Sequence, residues 1–169
     1  MRLRPYISSI DYEHLQKWVD TERTHALWCA NRIPYPMNAE ELQDFLDKDA
    51  RDWGGCAYVA TKDDGDPIGF FVLAVNTSNN VGFLKFVIVN HELRGQGYGT
   101  QMLELMLRYA FEIAGVSSVQ LNVFGINENA KKCYSRVGFI QDSVAGNAFS
   151  FENENWDRCH MVVTKGGIV

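Results

Sequence analysis

The segment Arg94-Gly95-Gln96-Gly97-Tyr98-Gly99-Thr100 decides how the rest of this chain is interpreted. It lies between a strand-like apolar run, residues 83–89, and a helical pattern that runs from Gln101 to Ala114. A helix that begins at such a turn leaves its first N–H groups without partners, at the positive end of the helix dipole. Because glycines lack a Cβ atom, an anion can approach the backbone closely. The segment is therefore predicted to hold a phosphate group.

The spacing of these glycines excludes the two most familiar phosphate-binding loops. A P-loop would end in Gly-Lys-Ser/Thr, and this segment contains no lysine. A dinucleotide fingerprint would read Gly-x-Gly-x-x-Gly, whereas the glycines here recur at every second residue. A simple tight loop is also compatible with the segment alone, so a second motif has to decide.

That second motif lies downstream, after a strand-like segment over residues 118–124. It is a short helical pattern that begins at Asn127, a favourable N-cap, and ends at Gly138, a favourable helix stop. Ala130 and Tyr134 are four residues apart, so they share one face of this helix, and Asn127 heads the same line.

Together the two motifs resemble the signatures of the GNAT superfamily, the acyl-CoA-dependent N-acetyltransferases. The first signature is Arg/Gln-x-x-Gly-x-Gly/Ala after a central strand, and it is matched by Arg94, Gly97 and Gly99. The second is Asn-x-x-Ala-x-x-x-Tyr-x-x-x-Gly-Phe, and it is matched by Asn127, Ala130, Tyr134, Gly138 and Phe139. The resemblance extends over about residues 82–140 and implies acetyl-CoA as the co-substrate.

The resemblance also implies a fold and a way of holding the co-substrate. The fold is α+β, with helices on both faces of a mixed, mostly antiparallel central sheet whose two parallel central strands splay apart. The thioester would lie in the gap. The backbone of Val87, Ile88 and Val89 would pair with the pantetheine amides, and the N–H groups of residues 96–100 would meet the pyrophosphate. Asn127 would both cap its helix and meet the pantetheine beside Ala130, although a pure cap is the alternative. For Arg94, phosphate contact and a solvated surface role both stay open.

Periodicity and turn residues predict the remaining elements. Strands are expected over residues 3–7, 57–61, 68–75, 81–89, 144–151 and 157–164, and the last two would be joined by a turn at 152–155. Helices are expected from Asp11 to Glu22 and, after an Asn38 cap, to about Asp52. No linker or repeat interrupts the chain, so residues 1–169 are expected to form one domain.

Tyr134 is the predicted catalytic residue. In relatives with this motif the matching tyrosine protonates the departing thiolate, which a phenol within hydrogen-bond reach can do. Packing at a helix–sheet boundary is the alternative role.

The group that removes the proton from the amine is less clear from the sequence. Related enzymes that acetylate protein N-termini often carry a glutamate at the position of Asn122, and an amide cannot accept that proton. Asn122 could hold a water that does so, or the acceptor could arrive neutral. Glu22 and His25 are further candidates.

Composition limits the partners. A formal charge of −5 argues against nucleic acid, and no apolar run approaches the ~20 residues that span a membrane. The four cysteines lack paired spacings, which argues against a disulfide framework. Cys159 and His160 would point to opposite faces of a strand, which argues against a metal site. We expect a cytoplasmic protein whose partners are acetyl-CoA and an amine, and a homodimer is left open.

Finer sequence features narrow the function little. Residues 109–111 and 33–36 are similar to the ribosomal-protein N-terminal acetyltransferase branch, which also includes antibiotic and polyamine acetyltransferases. The acceptor pocket could be lined by the aromatic residues Trp28, Tyr35, Trp53 and Trp156. Three functions stay open: acetyl transfer to an amine, transfer of a longer acyl group, and acyl-CoA binding without catalysis.

Overall fold

The computed structural model of this protein describes residues 1–167. The strands are β1 (Arg2–Pro5), β2 (Gly55–Thr61), β3 (Pro67–Asn76), β4 (Val81–Val89), β5 (Ser118–Phe124), β6 (Ile140–Phe151) and β7 (Glu154–Thr164). The helices are α1 (Ser8–Trp18), α2 (Glu22–Cys29), α3 (Ala39–Trp53), α4 (Tyr98–Arg108) and α5 (Glu128–Arg136).

The seven strands form one sheet in the order β1-β2-β3-β4-β5-β7-β6. Every neighbouring pair is antiparallel except β4 and β5 at the centre, which are parallel. A parallel pair needs a crossover connection, and α4 supplies it. The predicted α+β class, with its mostly antiparallel sheet and its parallel central pair, is confirmed.

The two parallel strands separate halfway along their length. They are paired from Val81 with Ser118 to Leu84 with Leu121, and beyond that point no pairing joins them, although both strands continue. The backbone of β4 from Lys85 onward therefore has an edge that β5 does not cover.

A bulge in β4 lies at the point of separation. The register with β3 shifts there, and Phe86 has a φ of +51°, which is unusual for a residue with a side chain. Trp28 of α2 donates its indole N–H to the Phe86 carbonyl at 2.8 Å. This hydrogen bond satisfies a carbonyl that the bulge removes from the regular ladder.

Each face of the sheet carries its own core. On one face α4 packs its apolar stripe, including Met102, Leu103 and Met106, against β3, β4, β5 and β7. On the other face, α1, α2 and α3 cover Val59, Phe70 and other residues of the first half of the sheet. The helical pattern that follows the glycine segment is therefore a helix, as predicted, and one of its faces packs against the core.

The prediction for the first helix was wrong. The helix begins at Ser8 and ends at Trp18, and a second helix, α2, follows from Glu22 to Cys29. Asp11 is not the N-cap. Its buried carboxylate accepts hydrogen bonds from the Ile7 N–H at 2.8 Å and from the Arg4 guanidinium at 2.6 and 2.7 Å. The start of α2 depends on a cap by Thr21, whose hydroxyl accepts from the Thr24 N–H at 3.1 Å.

Other boundaries also differ from the prediction. The crossover helix starts at Tyr98, and its last turn, Tyr109–Ile113, is a π-helix in which the Ala114 N–H reaches the Tyr109 carbonyl. Strand β6 starts at residue 140 because its pairing with β7 extends to Val162. The turn between these strands is shorter than predicted, since β7 already begins at Glu154.

The helix predicted after Asn38 runs over Ala39–Trp53, and the Asn38 side chain accepts from the Glu41 N–H at 2.9 Å. Within residues 1–167, no helix has both the length and the apolar character that crossing a bilayer requires.

Candidate functional site

The glycine segment forms an open turn at the start of α4. Gly95 and Gly97 have φ values of +76° and +85°, a conformation that disfavours every residue with a Cβ. A Cβ at Gly95 would meet no atom within 4 Å, and one at Gly97 would meet only the Gln101 amide at 4.0 Å. The space in front of the turn is therefore open to a ligand.

The first turn of α4 has donors to offer to that ligand. Gly97 occupies the N-cap position and has no side chain with which to cap the helix. The first backbone bond of the helix runs from the Gln101 N–H to the Gly97 carbonyl, at 3.1 Å. The N–H groups of Tyr98, Gly99 and Thr100 precede it and have no partner inside the helix. Such a turn suits the diphosphate of coenzyme A.

Gly99 and Thr100 also join α4 to α5. A Cβ on Gly99 would lie 3.4 Å from the Cys133 sulfur and 3.6 Å from a Val89 methyl group. The Thr100 hydroxyl lies 3.7 Å from the same sulfur. A Cβ at Gly99 would therefore make ordinary van der Waals contacts with both elements.

The uncovered edge of β4 leads from this turn into the gap between the parallel strands. Val87, Ile88 and Val89 lie on this edge beyond the last residue pair with β5. Since backbone groups in a protein interior need partners, a pantetheine chain is a suitable partner for them.

A cavity of about 320 Å³ lies where β4 and β5 separate. Its walls include Phe86 and Val87 of β4, Asn122 of β5 and Trp28 of α2. Its volume is at the lower end of the range of about 300–1,000 Å³ that is typical of ligand pockets.

Helix α5 brings three predicted residues to this cavity. Asn127, Ala130 and Tyr134 all line it. The Asn127 side chain accepts from the Ala130 N–H at 3.3 Å, so the residue does cap the helix while it also faces the cavity. The one-turn spacing of these residues therefore has the consequence that the sequence predicted.

Tyr134 is buried against the core, and its ring makes an edge-to-face contact with Phe139 at 5.8 Å. Burial raises the pKa of the Tyr134 hydroxyl, and the nearby Cys133 thiol raises it further. The phenol therefore stays protonated throughout the neutral range, as a proton donor must.

Asn122 faces His160, a histidine that was not predicted to take part in catalysis. Asn122 and His160 are directly opposite each other in the β5–β7 pairing, which places their Cβ atoms about 5 Å apart. The His160 Nδ1 lies 3.1 Å from an Asp142 carboxylate oxygen. Cys159 is buried on the opposite face, so this pair of neighbours does point in two directions.

Several residues proposed from the sequence lie elsewhere. His25 and Tyr35 line a separate and larger cavity of about 640 Å³ that contains neither Tyr134 nor Asn122. Trp53 is 71% exposed at the end of α3, and Trp156 is a fully buried residue of β7. Of the four aromatic residues considered, only Trp28 lines the cavity with Tyr134.

The charges in the cavity with Tyr134 were not anticipated from the sequence. Arg32, Lys85 and Arg158 line it, and no acidic residue of the described chain does. The Lys85 ammonium lies 2.5 and 2.7 Å from the two carboxylate oxygens of Asp49, a buried residue of α3. Within residues 1–167 neither arginine has an ion-pair partner.

Arg23 connects α2 to the β6–β7 hairpin, and residues of both elements line this cavity. It lies on α2 and forms a paired hydrogen bond to Glu154 of β7, at 2.8 and 3.0 Å. Its guanidinium also covers the Trp156 ring at 5.2 Å, and the Trp156 N–H donates to Glu154 at 2.7 Å. These contacts fix the position of α2 relative to the β6–β7 hairpin.

Comparison with known sequences gives a family and one curated relative. The model of the acetyltransferase (GNAT) family matches residues 15–139. An uncharacterized N-acetyltransferase of Methanocaldococcus jannaschii is 33% identical over 84 residues, which cover 50% of this chain and 52% of the relative. The chain thus matches about half the length of that relative.

Comparison with solved structures shows the same fold. A Vibrio cholerae spermidine N-acetyltransferase, solved in complex with CoA and spermine, aligns with a TM-score of 0.83 and 20% identity, over 98% of this chain and 96% of its own. A chimeric form of that enzyme aligns with a TM-score of 0.80 and 19% identity, over 98% and 95%. The narrower likeness to the ribosomal-protein branch stays a prediction. The family match spans both motifs and both of the parallel strands that separate, and this chain belongs to the acetyltransferase (GNAT) family.

Proposed function

We propose that this protein transfers an acetyl group from acetyl-CoA to a primary amine by direct attack of the amine on the thioester. The observation that carries the proposal is the convergence of three features on one cavity: the uncovered edge of β4, the line of α5 residues that ends at Tyr134, and an open face beside Asn122.

The backbone would hold the co-substrate. The N–H groups of residues 96–100 and the dipole of α4 would bind the diphosphate, with each charge–dipole contact contributing about 0.3–1 kcal/mol. The exposed Arg94 would add its charge at the start of the turn. The edge at Val87, Ile88 and Val89 would hold the pantetheine so that the thioester lies beside Tyr134.

Tyr134 would supply the proton that the leaving group needs. The amine nitrogen forms a bond to the acetyl carbon, and the carbon–sulfur bond breaks. The sulfur takes the phenolic proton, and the proton lost by the nitrogen restores the phenol. Because burial raises the pKa of Tyr134, the phenol is protonated before each turnover.

Asn122 and His160 lie on the side from which the amine would come. If the acceptor arrives as an ammonium ion, a water held between them could take its extra proton before the attack, with Asp142 orienting the imidazole through its bond of 3.1 Å to Nδ1. An acceptor that arrives neutral would not need this step.

Two features support acetyl transfer over the alternatives. The volume of about 320 Å³ suits a short acyl group together with a small acceptor. The Tyr134 phenol at this cavity argues against a module that only binds acyl-CoA. The solved relatives are spermidine N-acetyltransferases, which is consistent with an amine as the acceptor.

The test combines binding and turnover on the same protein. Calorimetry should show saturable binding of coenzyme A, and thiol release from acetyl-CoA should rise when suitable amines from a panel are added. Saturable binding without thiol release in the presence of any amine would favour a non-catalytic module, and release only from longer acyl-CoAs would favour the other transferase. No binding at millimolar coenzyme A would refute the proposal.

A further inference from the structure

The charge inside the cavity is opposite in sign to that of the whole chain. The protein carries 21 acidic and 16 basic residues, for a formal charge of −5. Yet the three charged residues that line the cavity are Arg32, Lys85 and Arg158, and among the described lining residues none is acidic. A local field that opposes the net charge selects the ligands that enter.

Two of these three cations have no counterion within residues 1–167. Lys85 is neutralised by Asp49, whose carboxylate contacts it with both oxygens. Arg32 follows α2, and Arg158 lies on β7, on the opposite wall. Both are exposed and can therefore reach a ligand that enters from solvent.

Arg158 lies close to the position where the amine would react. It is paired with Phe124, while His160, two residues further along β7, is paired with Asn122. Side chains two residues apart share one face of a strand at a separation of about 7 Å. An anion at Arg158 and a nitrogen beside Asn122 therefore fit within one small molecule.

The remaining walls are mostly apolar. Phe149 lies 5.0 Å from the Phe124 ring, measured between centroids, and both residues line the cavity together with Trp28. Such walls accept a hydrocarbon or aromatic body, whereas no carboxylate among the described lining residues would meet the second and third ammonium groups of a polyamine.

We propose that the amine acceptor is a small molecule that carries an anionic group, a carboxylate or a phosphate, which Arg158 and Arg32 bind while the amine lies beside Asn122. This assignment rests on the proposed acetyltransferase function. It separates the chain by substrate class from the spermidine N-acetyltransferases that share its fold.

The experiment compares matched acceptors that differ only in the anion. Phenylalanine is compared with 2-phenylethylamine, O-phosphoethanolamine with ethanolamine, and spermidine is included as the polycation. We expect kcat/KM to be at least about 10-fold higher for the anionic member of one pair, because only that member forms charged hydrogen bonds with the arginines. The two pairs distinguish carboxylate from phosphate.

Variants then connect the preference to the arginines. Arg158→Gln and Arg32→Gln should each lower kcat/KM for the anionic acceptor by about 10- to 100-fold, mainly through KM. The kcat/KM for the partner that lacks the anion and the Kd for coenzyme A should not change. Arg51→Gln, at an exposed position on α3 outside the cavity, is the charge-matched control.

Each outcome decides the proposal. Equal or faster acetylation of spermidine or of the members that lack the anion would overturn it while leaving the acetyltransferase function intact. Arginine variants that keep the preference would have the same effect. Absence of thiol release with every amine, despite an unchanged fold by circular dichroism, would instead overturn the acetyltransferase function on which it rests.

Discussion

The Tyr134 side chain reaches the gap between β4 and β5 from the last turns of α5, and its hydroxyl is the only polar atom that the ring carries. Replacing Tyr134 with Phe removes that atom and leaves the packing with Phe139 in place. We expect Tyr134→Phe to lower kcat by roughly 10²-fold, the low end for general acid catalysis, with little change in the Kd of coenzyme A. Steady-state thiol release and calorimetry measure the two quantities.

Tyr109→Phe is the matched control for this variant. The Tyr109 hydroxyl accepts a hydrogen bond from Tyr58 at 3.1 Å and lies outside the cavity. Its loss should leave kcat unchanged. If Tyr134→Phe also leaves kcat unchanged, Tyr134 is a packing residue and does not protonate the thiolate.

Gly97 provides a test of the proposed diphosphate-binding turn at the start of α4. Its φ of +85° disfavours a side chain, and an added methyl group would project into the open space in front of the turn. Gly97→Ala should raise the Kd of coenzyme A at least about 10-fold, because its methyl group would lie where the diphosphate binds. The backbone strain of about 1–3 kcal/mol should instead lower the stability of the fold.

Gly65 separates strain from obstruction. It has a φ of +99°, nothing lies within 4 Å of its added Cβ, and it belongs to the hairpin between β2 and β3. Gly65→Ala should lower the melting temperature in a similar way to Gly97→Ala but leave the Kd of coenzyme A unchanged. If the diphosphate binds elsewhere, the two variants should have equal Kd values for coenzyme A.

Between elements, the ion pair of Asp49 and Lys85 joins α3 to β4 just before the bulge. Their side chains are 6% and 11% exposed, so each charge needs the other. Asp49→Asn should lower the free energy of unfolding by about 3–5 kcal/mol, because it leaves the Lys85 ammonium buried without a counterion. Urea denaturation measures the change.

The double variant Asp49→Leu/Lys85→Met is the control for this prediction. It removes both charges together, so it should be clearly more stable than Asp49→Asn. A loss below about 1 kcal/mol in Asp49→Asn would mean that the pair behaves like an exposed one.

The sequence predicts the bounds of a helix or strand when neighbouring residues determine them, and it fails when distant contacts do. The bounds of β4 and β5, and the Asn38 cap of α3, were predicted because apolar runs and capping residues act over a few positions. Helix α2 was missed because its weak apolar pattern reflects contacts with the β6–β7 hairpin and β4. The π-helical turn at Tyr109–Ile113 was missed for a similar reason, since it places Tyr109 against Tyr58 of a distant strand.

The same distinction between local and distant causes applies to the candidate site. The residues of the two motifs, such as Gly97, Asn127 and Tyr134, are close in sequence, so their spacing was enough to predict a shared site, and their roles stay a prediction. Arg158, His160 and Asp142 come together only through the pairing of β5, β6 and β7. That register depends on the whole sheet, and no spacing along the chain reveals it.

For the molecule as a whole, the stability should depend on pH through His25. This imidazole is fully buried between α2 and the following loop, within 3.3 Å of the Asn31 side chain. Burial lowers its pKa, so the folded state holds it neutral while the unfolded chain binds a proton below about pH 6.5. Its contribution to stability is therefore complete above about pH 6.5 and decreases as the pH falls through the lower folded pKa.

We expect His25→Gln to reduce the loss of unfolding free energy between about pH 7 and pH 5, whatever its effect on stability at pH 7. His14→Gln, which replaces an exposed histidine on α1, should keep the pH dependence of the unmodified protein. Urea denaturation at a series of pH values gives both slopes, and equal slopes for His25→Gln and the unmodified protein would contradict the assignment.

The irregular course of β6 along the rim of the sheet bears on aggregation. This outermost strand is exposed along most of its 12 residues, a length that could recruit a strand from another molecule. Residues 146–148 leave the ladder between Ala145 and Phe149, and the Asn147 N–H is occupied by the Asp157 carboxylate at 2.9 Å. The interruption divides β6 into two short segments, and short segments are poor templates for pairing with a strand of another molecule. The same detour that brings Phe149 to the cavity should therefore also disfavour strand pairing between molecules at this edge.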